Sequence, residues 1–215
     1  QQKWDSAAFY LAKMLTSIPN NNEKARLEYL TGQLYELAGN YGAAKLYYTK
    51  AIPHSTDLIL EIQSRIAAIR VDRSSTGENS QTNIANLLSM ADKEKYSAYR
   101  DIILYAAAQM DLAIGNKERA AKSLLASTTG ITNSPLQRNK AFLQLAELSY
   151  SMGAYALAHQ YYDSLKSTDS LSLDPATIAS RKDALKKLVT PMRAPIQLGC
   201  QAPPLPPCMP CIITK

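Results

Sequence analysis

The side chains of this 215-residue chain best suited to hold a soft metal or exchange electrons are three cysteines and two histidines. Cys208 and Cys211 form a C-x-x-C pair, which is half of a zinc site or a redox dithiol. The remainder of either site is missing around it. A redox pair opens a helix after a strand, and a structural zinc needs four ligands; only Cys200 is near, while His54 and His159 stand far upstream. The cysteines fall within residues 191–215, which hold seven of the chain's eleven prolines, a density that forbids helix and favours extended, solvated chain. Residues 191–215 therefore read as a disordered or non-native tail. A thiol pair, a metal site, or a proline-rich partner ligand such as APPLPP are the alternatives.

The other candidates for chemistry are as sparse. His54 follows Pro53 at an expected helix end, where a cap or an exposed loop is the default, and His159 falls on a helix beside Ala158 at a surface or half-buried place. Neither has a cysteine nearby or a carboxylate at metal-ligand spacing. No H-E-x-x-H, G-x-S-x-G or Walker-type glycine loop occurs. Glu28, Glu36, Asp111 and Glu147 fall on separate helices, and solvated or salt-bridged helix faces account for them. No catalytic residue, cofactor or metal is expected, and the chain is not expected to be an enzyme.

The elements that would position any site are set by a ladder of glycines. Gly39, Gly77, Gly115 and Gly153 stand 38 residues apart, and a fixed period of this length is the signature of a solenoid. Around three of them a long apolar-periodic helix, a turn at the glycine and a shorter helix follow in order. Seven residues before the turn sits a small residue (Gly32, Ala108, Ala146), and five after it an alanine (Ala44, Ala120, Ala158). Four further on comes a large apolar residue (Tyr48, Leu124, Tyr162). Small residues at fixed places let two helices approach closely, and the large one fills the gap to the next pair. The stretch RSSTGENSQTN around Gly77 breaks this pattern and predicts a lengthened loop between helices near 57–72 and 81–91.

The net charge of +6 is interspersed rather than blocked. Its densest cluster, Lys182, Lys186 and Lys187, is explained by a helix end, where the macrodipole favours cations. No basic stripe interleaved with aromatics is present, so nucleic-acid and membrane-surface binding are not expected. No apolar run approaches the ~20 residues that span a bilayer. No charged segment followed by an apolar core opens the chain, so any export signal was removed or lies upstream. The repeat body has no cysteine, which suits an exported protein and a cytosolic one alike.

The order Gly32, Tyr35, Gly39, Tyr41, Ala44, Tyr48, Ala51 resembles the tetratricopeptide (TPR) repeat. Trp4, Ala7, Leu11 and Pro19 fall where the second helix of a further TPR hairpin would have them, so the chain is expected to start inside a repeat of a longer protein. The expected fold is all-α, a right-handed TPR-like solenoid of about ten helices. It divides into a half repeat at 1–20, repeats near 22–53, 56–92, 98–130 and 135–167, a terminal helix at 174–190 and the tail at 191–215. The TPR resemblance implies that the second, fifth, ninth and twelfth places of each first helix line a concave partner-binding groove. Those places hold Arg26, Tyr29, Gln33 and Glu36; Ile102, Tyr105, Gln109 and Leu112; and Lys140, Leu143, Glu147 and Tyr150. The lysine and asparagines with which chaperone-binding TPRs clamp a carboxylate are absent, since Tyr29, Gln33 and Ala106 stand there.

Several stretches are more particular: KWDSAAFYLAKML (3–15), EYLTGQLYELAGNYGAAKLYYTKAI (28–52), YRDIILYAAAQMDLA (99–113), PLQRNKAFLQLAELSY (135–150), YYDSL (161–165) and SRKDALKKLV (180–189). Together they resemble the TPR lipoproteins of Bacteroidetes gliding motility and type IX protein secretion, the SprE or PorW family. Arg100, Asp101, Gln137, Arg138 and Asn139 carry most weight, because helix packing does not demand those polar choices. The resemblance implies a non-enzymatic component at the periplasmic side of the outer membrane. It would be held by an N-terminal lipid outside this chain, with secretion-machine ring or translocon proteins as partners. The tail departs from that family, whose charged helical sequence continues, and a truncated or frame-shifted end would account for the change. The competing expectation is the TPR sensor or adaptor region of a larger signalling protein such as a histidine kinase.

Overall fold

A computed structural model of the chain describes residues 2–72, 78–129, 134–165 and 175–192. Ten α-helices and no strand occur among these residues. They are α1 (Gln2–Met14), α2 (Asn21–Ala38), α3 (Tyr41–His54), α4 (Leu58–Arg70), α5 (Glu78–Ala91), α6 (Arg100–Ala113), α7 (Lys117–Thr129), α8 (Pro135–Ser151), α9 (Tyr155–Asp163) and α10 (Pro175–Met192). Short 3₁₀ turns occupy Leu15–Ser17 and Glu94–Tyr99.

Local chemistry sets the boundaries. The Asn20 side chain accepts hydrogen bonds from the Asn22 and Glu23 amides, Asn40 from Ala43, Asp57 from Ile59, and Ser134 from Gln137, so each satisfies an orphan donor at a helix start. Pro135 follows its cap at the first helical position, where a missing amide hydrogen costs nothing. Three helices end alike. Gly39, Gly115 and Gly153 adopt φ of 83°, 83° and 76°, a left-handed conformation that glycine enters without a Cβ penalty. In each turn the glycine amide donates three residues back, and the next amide donates five residues back, to Tyr35, Asp111 and Ser149 respectively. These three rungs of the ladder are hairpin turns; Gly77 lies outside the described residues.

The helices pack consecutively. The closest pairs are the hairpins α2 with α3, α6 with α7 and α8 with α9; α1 packs on α2, α3 on α4, α5 on α6, α7 on α8 and α9 on α10. Alternate helices α4, α6 and α8 also touch in sequence, forming a second layer. The expected small-and-large register is realised: Gly32, Ala108 and Ala146, their partners Ala44, Ala120 and Ala158, and the fillers Tyr48, Leu124 and Tyr162 are all buried. The core runs along the stack as neighbouring clusters. Ile62 of α4 joins Ile84 and Leu87 of α5 and Ile103 of α6 in one, and Ala146, Ala158 and Tyr162 join Ile178 and Leu185 of α10 in another.

Two boundaries differ from expectation. Helix α5 starts at Glu78, inside the stretch expected to be loop, and α10 continues to Met192, past Pro191. Lys182 is consequently in mid-helix rather than near a helix end. It pairs with Asp163 of α9 at 2.9 Å, so an ion pair rather than the macrodipole positions it. The cysteines and the remainder of the tail, 193–215, fall outside the described residues.

Candidate partner-binding groove

A groove of about 620 Å³ opens along the layer formed by α4 and α6, flanked by α2 and α8. Among its walls are Tyr29 of α2, Ile66 and Arg70 of α4, and Ile102, Tyr105 and Gln109 of α6. Four of these six, Tyr29, Ile102, Tyr105 and Gln109, are among the residues expected to face a concave surface. Rings and aliphatic chains make most of the lining apolar, and the amides of Gln63, Gln109 and Gln137, the Arg70 guanidinium and the Asp72 carboxylate are among its polar groups.

Both tyrosines are half-buried, and burial pushes each phenol pKa upward. For Tyr29 the Arg70 guanidinium opposes the rise and Glu36 adds to it; for Tyr105 a hydrogen bond with Gln109 opposes it and Glu147 adds to it. Both are neutral hydroxyls at physiological pH, able to donate as well as accept. The Gln109 Nε2 donates to Gln144 Oε1 of α8 at 3.3 Å, which joins two alternate helices across the wall.

The remaining expected residues divide by what covers them. Arg26, Gln33 and Lys140 are exposed and line no part of this groove. Leu112 is half-buried against the core shared by α6, α7 and α8. Leu143 is a correction: it is buried in a cluster that takes Ala158 and Tyr162 from α9 and Ile178 and Leu185 from α10, so it does not line the groove. Tyr150 and Glu147 line a second recess of about 410 Å³ with Tyr162, Arg181 and Leu188.

The carboxylates do not converge. Glu36 accepts from the Tyr48 hydroxyl at 2.7 Å and from Arg70 at 2.8 Å, which ties α2 to α3 and α4. The pattern recurs at the far end, where Arg181 of α10 donates to Glu147 of α8 at 3.2 Å and to the Tyr162 hydroxyl of α9 at 3.3 Å. Glu28 and Asp111 are buried rather than solvated. His54 Nδ1 lies 2.7 Å from Glu28 Oε2, a pairing of α3 with α2, and His159 Nδ1 lies 3.2 Å from Asp163 one turn away on α9. Among the described residues no three His, Cys, Asp or Glu side chains gather as a metal site, and no helix is long and apolar enough to cross a membrane.

Among the groove residues outside the expected set, Gln63, Ile66 and Arg70 have a signal in the sequence. Ala25, Asp101 and Asn139 are the buried first places of α2, α6 and α8, and Ile62 is buried in α4. Counting from Ile62, the second, fifth and ninth places are Gln63, Ile66 and Arg70, and all three line the groove. The break in the pattern around Gly77 hid that register. No protein-family model matches this chain, and no curated protein sequence matches it.

Proposed function

We propose that this chain is a non-enzymatic protein–protein interaction scaffold of right-handed TPR type, whose concave side receives a polypeptide segment. The observation that supports this most is the register of the groove. Three consecutive first helices contribute equivalent places to it, with Tyr29, Ile66 and Tyr105 at the fifth. A mostly apolar lining suits a partner's side chains, while amides such as Gln63 and Gln109 suit the hydrogen-bonding groups of its main chain.

The resemblance carried by YRDIILYAAAQ and PLQRNKAFLQLA favours a particular setting, the type IX secretion and gliding-motility machinery at the periplasmic side of the outer membrane. The partners would be ring or translocon proteins, with a lipid anchor outside this chain. A photo-reactive amino acid at Tyr105, introduced into the protein in cell envelopes, tests both parts. The expected outcome is crosslinking to a secretion-machine component, weakened about tenfold or more when Tyr29→Ala and Ile66→Ala are combined with unchanged helicity. Crosslinks to no such component would overturn the setting, and crosslinking indifferent to both substitutions would overturn the groove. A spanning helix and kinase motifs downstream in the full gene would replace this proposal with the sensor region of a signalling protein.

A further inference from the structure

The hairpin of α4 and α5, inside the stack, is built unlike the other three. Seven residues after the buried first places Ala25, Asp101 and Asn139 stand Gly32, Ala108 and Ala146, but seven after Ile62 stands Ile69. A glycine or alanine there lets the two helices of a hairpin close, and an isoleucine does not. Helices α2 and α3, α6 and α7, and α8 and α9 pack tightly, whereas the backbones of α4 and α5 stand apart and meet through side chains such as Ile62, Ile84 and Leu87.

The gap is a recess of about 410 Å³, closed on a third side by Ile52 of α3. It is distinct from the groove: α3 and α5 wall it in place of α2 and α6, and Ile69 alone lines both. Ala68, Ile69, Leu87 and Met90 make its walls largely apolar. Its charges gather at one end. Glu61 at the start of α4 bonds to Lys95 and Tyr96 beyond the end of α5, so the two helices run antiparallel, and this brings Arg65 to the end where Lys93 stands.

Both lining charges are positive, and no carboxylate lines the recess among the described residues. Arg65 is held in place, since its Nε and Nη2 donate to Glu61 Oε1 at 3.2 and 3.1 Å. Its Nη1 and the Lys93 ammonium have no partner among the described residues. Glu61 already accepts from Arg65, Lys95 and Tyr96, so it does not neutralise Lys93.

We propose that this recess binds a small amphipathic carboxylate, its apolar body between α4 and α5 and its head between Arg65 and Lys93. Mostly apolar walls with a few polar groups that fix orientation are what small-ligand sites present. A polypeptide segment fits less well. The lining runs over residues 65–69 of α4 and 86–90 of α5, about 6 Å of each helix axis, which is the length of about two extended residues.

NMR titration of the isotopically labelled whole chain with sodium octanoate tests the site. Saturable shifts are expected at the Arg65 Nε–H and at the Ala68, Ser89 and Met90 amides. Octan-1-ol, the same chain without the charge, is expected to bind at least about fivefold more weakly. Lys93→Glu, at an exposed place, and Arg65→Gln are each expected to weaken octanoate about tenfold with an unchanged circular dichroism spectrum. Lys122→Glu, equally exposed on α7, is expected to leave the affinity unchanged. Shifts that do not saturate or that fall in the groove, octan-1-ol bound as tightly as octanoate, or an affinity indifferent to Lys93→Glu would each overturn the proposal. Acetyl-leucyl-leucine bound more tightly than octanoate at the same resonances would also overturn it, in favour of a polypeptide's C-terminus.

Discussion

A Cβ built on Gly32 would lie 2.7 Å from both Cδ1 and Cε1 of the Tyr48 ring. The contact is with the base and side of the ring, and Tyr48 is buried with its hydroxyl fixed on Glu36, so the ring has little room to yield. Gly32→Ala sets a helix-propensity gain of about 1 kcal/mol against an overpacking cost of about 1 to 3 kcal/mol. A net loss of stability is expected, read as a lower urea midpoint at unchanged slope. Combining it with Tyr48→Leu, the residue type that Ala108 faces at Leu124, is expected to reduce the cost of the alanine to less than half. An alanine that stabilises the protein on its own would show that α2 and α3 do not approach this closely.

What was legible in the chain was whatever is encoded over one hairpin. The turns at Gly39, Gly115 and Gly153 and the small-against-large pairs depend on residues fewer than twenty apart, and fixed spacing reveals them. The groove was legible where that spacing is regular, at Tyr29, Tyr105 and Gln109, and hidden in α4, where no turn glycine anchors the count. Contacts made by a later element were not legible. Leu143 has the spacing of a groove residue, yet it is buried in a core shared with α9 and α10. The Lys95 and Tyr96 partners of Glu61 lie more than thirty residues away on a 3₁₀ turn that no periodicity announces.

That Glu61 cluster has a pH signature. Burial opposes its charge, but hydrogen bonds from Lys95, Tyr96 and Arg65 outweigh it and hold the carboxyl below its ordinary range. With a folded pKa lower than the unfolded one, the native state binds fewer protons between the two values, so stability rises with pH across that window. The contribution is complete above the ordinary glutamate value of about 4.3 and is lost as pH falls through the folded value. Tyr96→Phe removes a 2.8 Å hydrogen bond to Glu61 and is expected to cost about 1 kcal/mol at neutral pH. It should also move the carboxyl titration of Glu61 upward by NMR. A titration that stays in place would mean the phenol does not act on this charge.

Asp111 is expected to behave with the opposite sign. It is fully buried at the place where the first hairpin has Tyr35, and Arg119 Nε stands 3.4 Å from Oδ1 without well-aligned hydrogen-bond geometry. Burial raises its pKa, against the pull of Arg119 and Asn116. A folded pKa above the unfolded one means that the native state binds more protons in that window, so stability falls as pH rises through it. Asp111→Asn keeps the shape and removes the buried charge. It is expected to stabilise the protein at pH 7 by about 1 kcal/mol, with the advantage shrinking as pH is lowered toward the ordinary aspartate range. An asparagine variant less stable than the parent at pH 7 would show that the Arg119 pairing outweighs the burial of the charge.

Two glycines separate backbone conformation from packing. A Cβ on Gly115 or on Gly42 would meet nothing within 4 Å, so neither substitution by alanine is opposed by a neighbouring atom. They differ in backbone alone: Gly115 has φ of 83°, and Gly42 lies in the first turn of α3 with helical geometry. Alanine at 115 must adopt the left-handed region, which costs about 1 to 2 kcal/mol, or else unwind a turn that holds the Asn116 amide 2.8 Å from the Asp111 carbonyl. Alanine at 42 loses less conformational entropy on folding than glycine and is expected to add about 0.5 to 1 kcal/mol. Thermal melts of Gly115→Ala and Gly42→Ala should therefore move in opposite directions from the parent. Asparagine at 115, which enters the left-handed region more readily, should recover part of the loss. Equal shifts for the two alanines would mean that the turn at Gly115 does not depend on its left-handed backbone.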